Sequence, residues 1–404
     1  MKIAFITGCL EPGRDGVGDY TRLLAKECVR RGHQCCLVAL SDRYVVQTDY
    51  LSTNSQEVAE ISTLRLSANI PWEQRAKYAQ EFLAIADPDW VSLQFVPYGY
   101  QNKGIVAGLS KWLRQIVQGR LHIMFHELWI GQNIGAPIKE KLVGSMQRFF
   151  ISRLIKELQP AVVHTSNLAY VAILQQLGIA AKCLPLFSNI PISPKNADDW
   201  LLPQLQKIGL DIYPINRDEF WLFGIFGTIH PVWSAEPLFT YLNQAGAKNN
   251  RKIVILSIGR LGSGKCIWKQ LSQTYCHQFS FLQLDEQPPN KVSEFFNSID
   301  FGISTSPYLL VGKSGTTTTM LEHGLPVIVN RDDFQLALRP SSSYNEPLLY
   351  KMDEHLADYL TYKLQRKPPH SRLQDIATNF IKELTKATNS NREDTTKLAG
   401  SFNV

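Results

Sequence analysis

The stretch "KIAFITGCLEPGRDGVGDYTRLLAKECVRRGHQCCLVAL", residues 2–40, decides the fold. Its first part, "KIAFITGC", is a short apolar run stopped by Gly8, the pattern of a buried parallel strand. The loop "LEPGRDGVG" follows. Then "DYTRLLAKECVRRGH" sets Tyr20, Leu23, Leu24 and Cys28 on one helical face. Gly32 ends the helix before "QCCLVAL" starts a second strand. Strand, loop, helix and strand in this order open an α/β fold.

The alternation continues outward. "WVSLQF" (90–95), "LHIMFH" (121–126), "AVVHTS" (161–166) and "CLPLF" (183–187) read as strands, with helical stretches between. The proline-rich "SNIPISPKNADDW" then marks a boundary near residue 190. A second series of strands follows: "EFWLFGIFG" (219–227), "KIVILSIG" (252–259), "FSFLQL" (279–284), "DFGISTS" (300–306) and "LPVIVN" (325–330). Helical stretches at 235–246, 265–274, 291–298 and 315–323 alternate with them. The expectation is two doubly wound domains, 1–190 and 191–370, and a helix and tail at 371–404 that returns to the first domain. "LQDIATNFIKELTKATNS" reads as that helix, and the final fourteen residues as frayed.

Composition bounds the function. A length of 404 residues fits two or three domains. The formal net charge of +6 is too modest for a nucleic-acid partner, but suits an anionic ligand or membrane surface. Seven cysteines without a CxxC pair give neither a disulfide framework nor a zinc site. They point to a reducing, cytoplasmic compartment, with the inner face of the membrane within reach. "MKIAFITGCLEPG" has too short an apolar core for a signal peptide, and no apolar run approaches about 18 residues.

Doubly wound sheets bind ligands at the carboxyl ends of their strands. There, "SIGRLGSGKC" (257–266) spaces Gly259, Gly264 and Lys265 like a phosphate loop of an ATPase. Cys266 stands where that loop needs a hydroxyl, and a thiol is a poor magnesium ligand. Two readings remain: Arg260 and Lys265 as cations for a diphosphate, or a tight turn with solvated charges. In "GRDGVGDY" (13–20), Gly16 and Gly18 permit backbone approach to an anion at a helix N-terminus. No G-x-G-x-x-G pattern is present, so NAD is not expected, and a plain turn is the alternative. In "LLVGKSGTTTTMLEHGLPVIVN" (309–330), the amides of Gly315, Thr316 and Thr317 open a helix toward an anion. Glu322, near that helix's C-terminus, is either a partner for a hydroxyl pair such as ribose or a solvated carboxylate. His126 ends a strand, as a ligand-facing histidine or a satisfied core residue. No acidic pair sits in a metal context, and "RDD" (331–333) reads as surface loop.

These segments resemble the retaining GT-B glycosyltransferases of family 4. The resemblance rests on "GVGDYTRLLAKECVRRGHQ", on "FH" after a central strand, and on 312–330. The last is set against the pattern E-G-F-G-x-x-x-x-E-A-x-x-x-G-x-P-V-I. The likeness spans nearly the whole chain. It implies two Rossmann-like domains facing a cleft and a hexosyl transfer that retains stereochemistry and uses no metal or cofactor. The donor implied is a nucleotide sugar, with UDP-glucose favoured. The acceptor implied is a saccharide or lipid-linked molecule in polysaccharide or glycoconjugate synthesis. Nucleotide would sit in the second domain and acceptor in the first.

The resemblance also implies roles. Glu322 would hold ribose hydroxyls, and Gly315, Thr316 and Thr317 the donor phosphates or sugar. His126 would contact the transferred sugar. Gly16 and Gly18 would approach donor and acceptor, and the backbone around Leu284 the base. Two departures stand out. Ser314 occupies the place given to the first motif glutamate, and "GTIHPVWSAE" (227–236) lacks the family's Arg and Lys. Arg260, Lys265 and Lys313 are then the cations for the diphosphate. A nucleotide-binding regulatory protein without turnover and a phosphate-loop ATPase remain as alternatives.

Segment 138–158, "IKEKLVGSMQRFFISRLIKEL", carries Lys139, Lys141, Arg148, Arg153 and Lys156 against Glu140 and Glu157. Leu142, Met146, Phe149, Phe150 and Leu154 recur at helical spacing. The expectation is a helix whose apolar face packs on the first sheet. The alternative is a basic amphipathic helix at an anionic membrane.

Overall fold

The computed structural model describes residues 1–46, 48–51, 61–194, 200–213, 215–336, 346–353, 355–356, 360 and 365–400, the side chains of 49–51 and 391–400 excepted. Residues 195–199 of the proline-rich linker and 401–404 of the tail lie outside them. The chain divides into two units. One comprises Met1–Pro185 and the C-terminal segment from Leu373, the other Leu186–Gln335 and the stretch ending at Arg372.

The first unit is built on eight strands: β1 (Lys2–Thr7), β2 (Gln34–Asp42), β3 (Asp49–Leu51), β4 (Ser62–Ser67), β5 (Trp90–Phe95), β6 (Arg120–Phe125), β7 (Val162–Thr165) and β8 (Ala181–Cys183). Their order is β3-β4-β2-β1-β5-β6-β7-β8. All neighbours are parallel except β3, a short antiparallel strand on β4. Every residue of β5 is buried, as a central strand covered on both faces requires. The order reverses between β1 and β5, where ligand crevices form in such sheets. Backbones crowd at that point: a Cβ on Gly8 would stand 2.6 Å from the Gly99 carbonyl oxygen. The helix Gly16–Arg30 starts there, its N-terminus capped by Asp15, which accepts from the Gly18 amide at 2.7 Å.

The C-terminal helix, Leu373–Gly400, packs within this unit. It runs ten residues into the segment expected to fray, Asn391–Gly400. Phe380 lies against Phe5 and His122, with ring centroids 5.8 and 5.2 Å apart. Arg31 Nη1 donates to Thr378 Oγ1 at 2.7 Å, and Trp90 Nε1 to Thr388 Oγ1 at 3.1 Å.

The second unit holds six parallel strands: β9 (Phe220–Phe226), β10 (Lys252–Ile258), β11 (Ser280–Gln283), β12 (Phe301–Ser304), β13 (Val327–Val329) and β14 (Leu349–Lys351). Their order is β11-β10-β9-β12-β13-β14, reversing between β9 and β12. Side chains alternate between two cores. Trp221, Phe223, Ile225, Ile253 and Ile255 share one; Phe220, Leu222, Val254, Leu256 and Ile258 share the other. This double burial is why these strands read as continuous apolar runs. The short edge strands β3 and β14 have too little sequence to carry a periodic signal.

Candidate functional site

In the second unit, the loops after β9, β10 and β12 meet where the strand order reverses. His230 N donates to Thr305 Oγ1 at 3.2 Å, joining the β9 and β12 loops. Thr228 Oγ1 donates to the Arg260 carbonyl oxygen at 3.4 Å, joining the β9 and β10 loops. The glycines of "GRLGSGK" serve this backbone packing. A Cβ on Gly264 would stand 2.3 Å from Ile229 Cβ, and one on Gly262, at φ +57, 3.0 Å from Thr228. The loop is thus a tight turn laid against its neighbour. Lys265 is the first residue of the helix Lys265–Thr274, with its side chain exposed. Arg260 Nε lies 3.4 Å from Glu286 Oε2, so part of its charge is answered within the unit.

The helix Gly315–Glu322 begins at the carboxyl end of β12. Ser314 is its N-cap, with Oγ accepting from the Thr317 amide at 3.3 Å. The hydroxyls of Ser314, Thr316 and Thr317 bond to one another, and Thr317 Oγ1 also meets Ser304 Oγ at 2.7 Å. Gly315 is exposed at the first turn, so its amide end faces solvent. Lys313 precedes the cap, and Thr305, next to Ser304, holds the other two groups: the His230 amide donates to its Oγ1 and Arg331 Nη1 to its carbonyl oxygen. Burial lowers the His230 pKa, the Arg331 and Lys313 charges lower it further, and Asp333 raises it. Arg331 follows β13 and is 8% exposed, while Asp332 and Asp333 after it are exposed, as expected of a surface loop. It donates to the Thr305 carbonyl oxygen at 3.1 Å and forks onto Asp333 at 2.9 and 2.8 Å. His230, Thr228, Thr305 and Arg331 were missed by motif reading. Their signal was position alone: each follows a strand at its carboxyl end. Leu284 follows β11; its side chain is buried in the core, and its amide donates to the Ser257 carbonyl oxygen at 2.8 Å.

The ribose role for Glu322 is corrected. Glu322 is the last residue of the helix, about 10 Å along the axis from Gly315. It is 2% exposed, and Oε1 accepts from the Ser188 amide at 3.0 Å. The small cavity beside it is lined by Glu346, Pro368, His370 and Arg372, and by no residue of the helix's N-terminal turn. Spacing agrees: Glu322 stands two residues before Gly324, where the family pattern has its glutamate five before the glycine. Anchored on Gly324–Ile328, the two motif glutamates fall on Val311 and Thr319, not on Ser314 and Glu322.

In the first unit, His126 follows β6 and is 7% exposed. Its ring meets Tyr20, of the helix Gly16–Arg30, edge-on at 4.9 Å. Burial pulls its pKa down to about 3, so the imidazole is neutral at physiological pH. A buried chain fixes its tautomer. His126 Nε2 donates to Gln94 Oε1 at 2.9 Å, and Gln94 Nε2 donates to Ser92 Oγ at 2.8 Å. Ser92 then donates to His122 Nδ1 at 2.8 Å, leaving His122 Nε2 to donate to His164 Nδ1 at 3.0 Å. Cross-strand register sets this line, with Ser92 opposite His122 and Met124 opposite His164. Gly18 is buried, where a Cβ would stand 2.5 Å from the Cys9 carbonyl oxygen, while Gly16 has open space.

The helix Ile138–Leu158 is also corrected. Its buried face is Gly144, Gln147, Ile151 and Leu154. Ile138, Leu142, Met146 and Phe149 are exposed, at 78%, 64%, 49% and 60%. Only Leu154 of the expected core stripe is fully buried. The helix instead turns its smallest residue inward: a Cβ on Gly144 would stand 2.0 Å from the Ile130 carbonyl oxygen. No described helix is long and apolar enough to cross a membrane.

Two doubly wound units in one chain, each with the reversing strand order, match known structures along nearly their full length. The fold is GT-B. HepE of Anabaena, solved with UDP and glucose, is 14% identical, with 98% of this chain and 100% of that one covered at a TM-score of 0.53. Sucrose-phosphate synthase of Thermosynechococcus elongatus is 14% identical, with 99% and 100% covered at a TM-score of 0.59. WaaG, a glycosyltransferase involved in lipopolysaccharide biosynthesis, is 11% identical, with 94% of each chain covered at a TM-score of 0.51. No family profile and no curated protein sequence matches the chain. In the GT-B fold the reversal between β9 and β12 is the second unit's ligand position by the general rule for open α/β sheets.

Proposed function

We propose that the protein is a glycosyltransferase that moves a sugar from a nucleotide sugar, most favourably UDP-linked, to a saccharide or lipid-linked acceptor. One observation carries this reading: at the carboxyl ends of β9, β10 and β12, a Ser314-capped helix N-terminus sits beside Lys313, with Ser304 bonded to Thr317 and the adjoining Thr305 bonded to His230. That arrangement suits a diphosphate. HepE, of the same fold, was solved holding UDP and glucose. As the bond to the donor phosphate breaks, negative charge gathers on the leaving diphosphate. The amides of Gly315 and Thr316, with Lys313, Lys265 and Arg260, stabilise that charge without a metal, while the Thr317 amide serves the Ser314 cap. His126, held as the neutral Nε2–H tautomer, meets the transferred sugar, and Gly16 and Gly18 bring backbone close to the reactants. On the family resemblance, the backbone around Leu284 meets the base through its neighbours, since its own amide donates to Ser257 and its carbonyl accepts from Gln287. Retention of stereochemistry rests on the family resemblance. The exposed stripe Ile138–Phe149, flanked by Lys139, Lys141 and Arg148, supports peripheral contact with an anionic membrane.

The experiment is UDP release from UDP-glucose, with and without polyprenyl-phosphate acceptor, beside a titration of UDP. A second reading has a specific support: Val311 and Thr319 stand where the motif glutamates fall. UDP binding without any sugar release from a panel of UDP- and GDP-sugars would favour a nucleotide-sugar-binding protein without turnover.

A further inference from the structure

A cavity of about 340 Å³ opens in the first unit beside the helix Ile138–Leu158. Trp129, Gln132, Lys141, Ser145, Arg148 and Gln176 line it, and no lining residue is a carboxylate. The Arg148 guanidinium lies 5.9 Å from the Trp129 ring centroid. Lys141 Nζ donates to the Ile134 carbonyl oxygen at 3.0 Å, with two further protons to give. Gln132 Nε2 is buried and has no hydrogen-bond partner among the described residues. Two cations, with nothing negative, complement an anion; the Ser145 hydroxyl already donates to the Lys141 carbonyl oxygen at 2.8 Å. The volume falls within the usual range for small-molecule sites, about 300–1,000 Å³.

The anion's source follows from the helix. At about 100° per residue, Lys141, Ser145 and Arg148 fall between the buried face and the exposed stripe. Ile138 and Phe149 stand next to Ser145 around the axis, and both are exposed. A polar cavity thus borders an apolar strip on one helix.

We propose that this cavity binds the phosphate-bearing headgroup of a lipid-linked acceptor, with its hydrocarbon chain lying along Ile138, Leu142 and Phe149. The proposal rests on the reading of the protein as a glycosyltransferase with a lipid-linked acceptor, and adds where and by which groups that acceptor is held. A free phosphate compound would use the cations but ignore the stripe. A prenyl diphosphate uses both.

The test is calorimetric titration of the full chain with farnesyl diphosphate, inorganic pyrophosphate and farnesol, with UDP in a separate titration. Wild type should bind farnesyl diphosphate at least tenfold more tightly than pyrophosphate. Lys141→Gln with Arg148→Gln should weaken both phosphorylated probes about tenfold. Leu142→Ser with Phe149→Ser should weaken farnesyl diphosphate alone; both positions are exposed, so folding is retained, as an unchanged melting temperature would verify. Farnesyl diphosphate affinity unmoved by the cation variants overturns the proposal. Pyrophosphate bound as tightly as farnesyl diphosphate overturns its lipid part. Loss of UDP binding in wild type would instead sink the nucleotide-sugar reading, independently of the prenyl result.

Discussion

The Ser188 amide donates to Glu322 Oε1 at 3.0 Å, while Ser188 Oγ donates to Thr319 Oγ1 at 3.1 Å. One serine at the start of the second unit thus ties down the last turn of the helix Gly315–Glu322. Both carboxyl oxygens of Glu322 are buried in the second unit, and burial pushes the carboxyl pKa up to about 7. The Ser188 and Arg372 amides and the Arg372 and His370 charges work the other way without cancelling this.

A carboxyl raised from 4.5 to about 7 binds more protons folded than unfolded across that interval. Stability therefore falls as pH rises from 4.5 to 7, by up to about 3 kcal/mol from this group alone. Glu322→Gln keeps the acceptor for Ser188 and removes the charge. Its melting temperature should match wild type near pH 4.5 and exceed it at pH 8. A wild-type advantage at pH 8 would mean that Ser188, Arg372 and His370 outweigh the burial of the ionised carboxylate.

The first unit has the opposite slope. Burial lowers His126 to about 3 and His164 to about 4, and lowers His122 well below its usual value. Such groups bind more protons unfolded, so stability is full above about 6.5 and is lost as pH falls. His164→Gln should flatten acid unfolding between pH 6 and 4, followed by far-ultraviolet circular dichroism. An unchanged acid midpoint would place that loss elsewhere.

Gln94 holds His126 in one tautomer, so Gln94→Leu should lower kcat for sugar transfer by tenfold or more while UDP affinity stays within twofold. His126→Ala should cut transfer further, again without loss of UDP. The ¹⁵N shifts of the His126 ring give a second readout: wild type should show the Nε2–H form, and Gln94→Leu a mixture. Wild-type transfer by both variants would leave His126 a core residue.

For the diphosphate, Lys265→Ala and Lys313→Ala should each weaken UDP binding about tenfold, since a charge-assisted contact is worth roughly 1.5–3 kcal/mol. Arg260→Ala should cost less, because Glu286 already answers part of its charge. Direct titration checks the order. Wild-type UDP affinity in both Lys265→Ala and Arg260→Ala would return the 257–266 turn to a purely structural role.

Gly144→Ala should destabilise the first unit by about 1–3 kcal/mol, because its Cβ would meet the Ile130 carbonyl oxygen at 2.0 Å. Gly16→Ala, at the open first turn of its helix, should not. Urea unfolding of the two variants measures the contrast, and similar midpoints would deny the close packing of the helix Ile138–Leu158.

The sequence by itself determined the two α/β series, because strands buried on both faces must be continuously apolar and their helices amphipathic. It also placed the helix N-terminus at Gly315 and His126 at a strand end, since chain order fixes which residues follow a strand. What it could not decide was direction and company. Whether Leu142 and Phe149 face core or solvent depends on which arc of the helix meets the sheet, and Gly144 settled that by close approach. Whether Glu322 faces a ligand depended on where Ser188 passes, 134 residues away in the chain. The line from His126 to His164 exists only because strand register sets Ser92 beside His122. Long-range packing decides such contacts, and no local pattern encodes them.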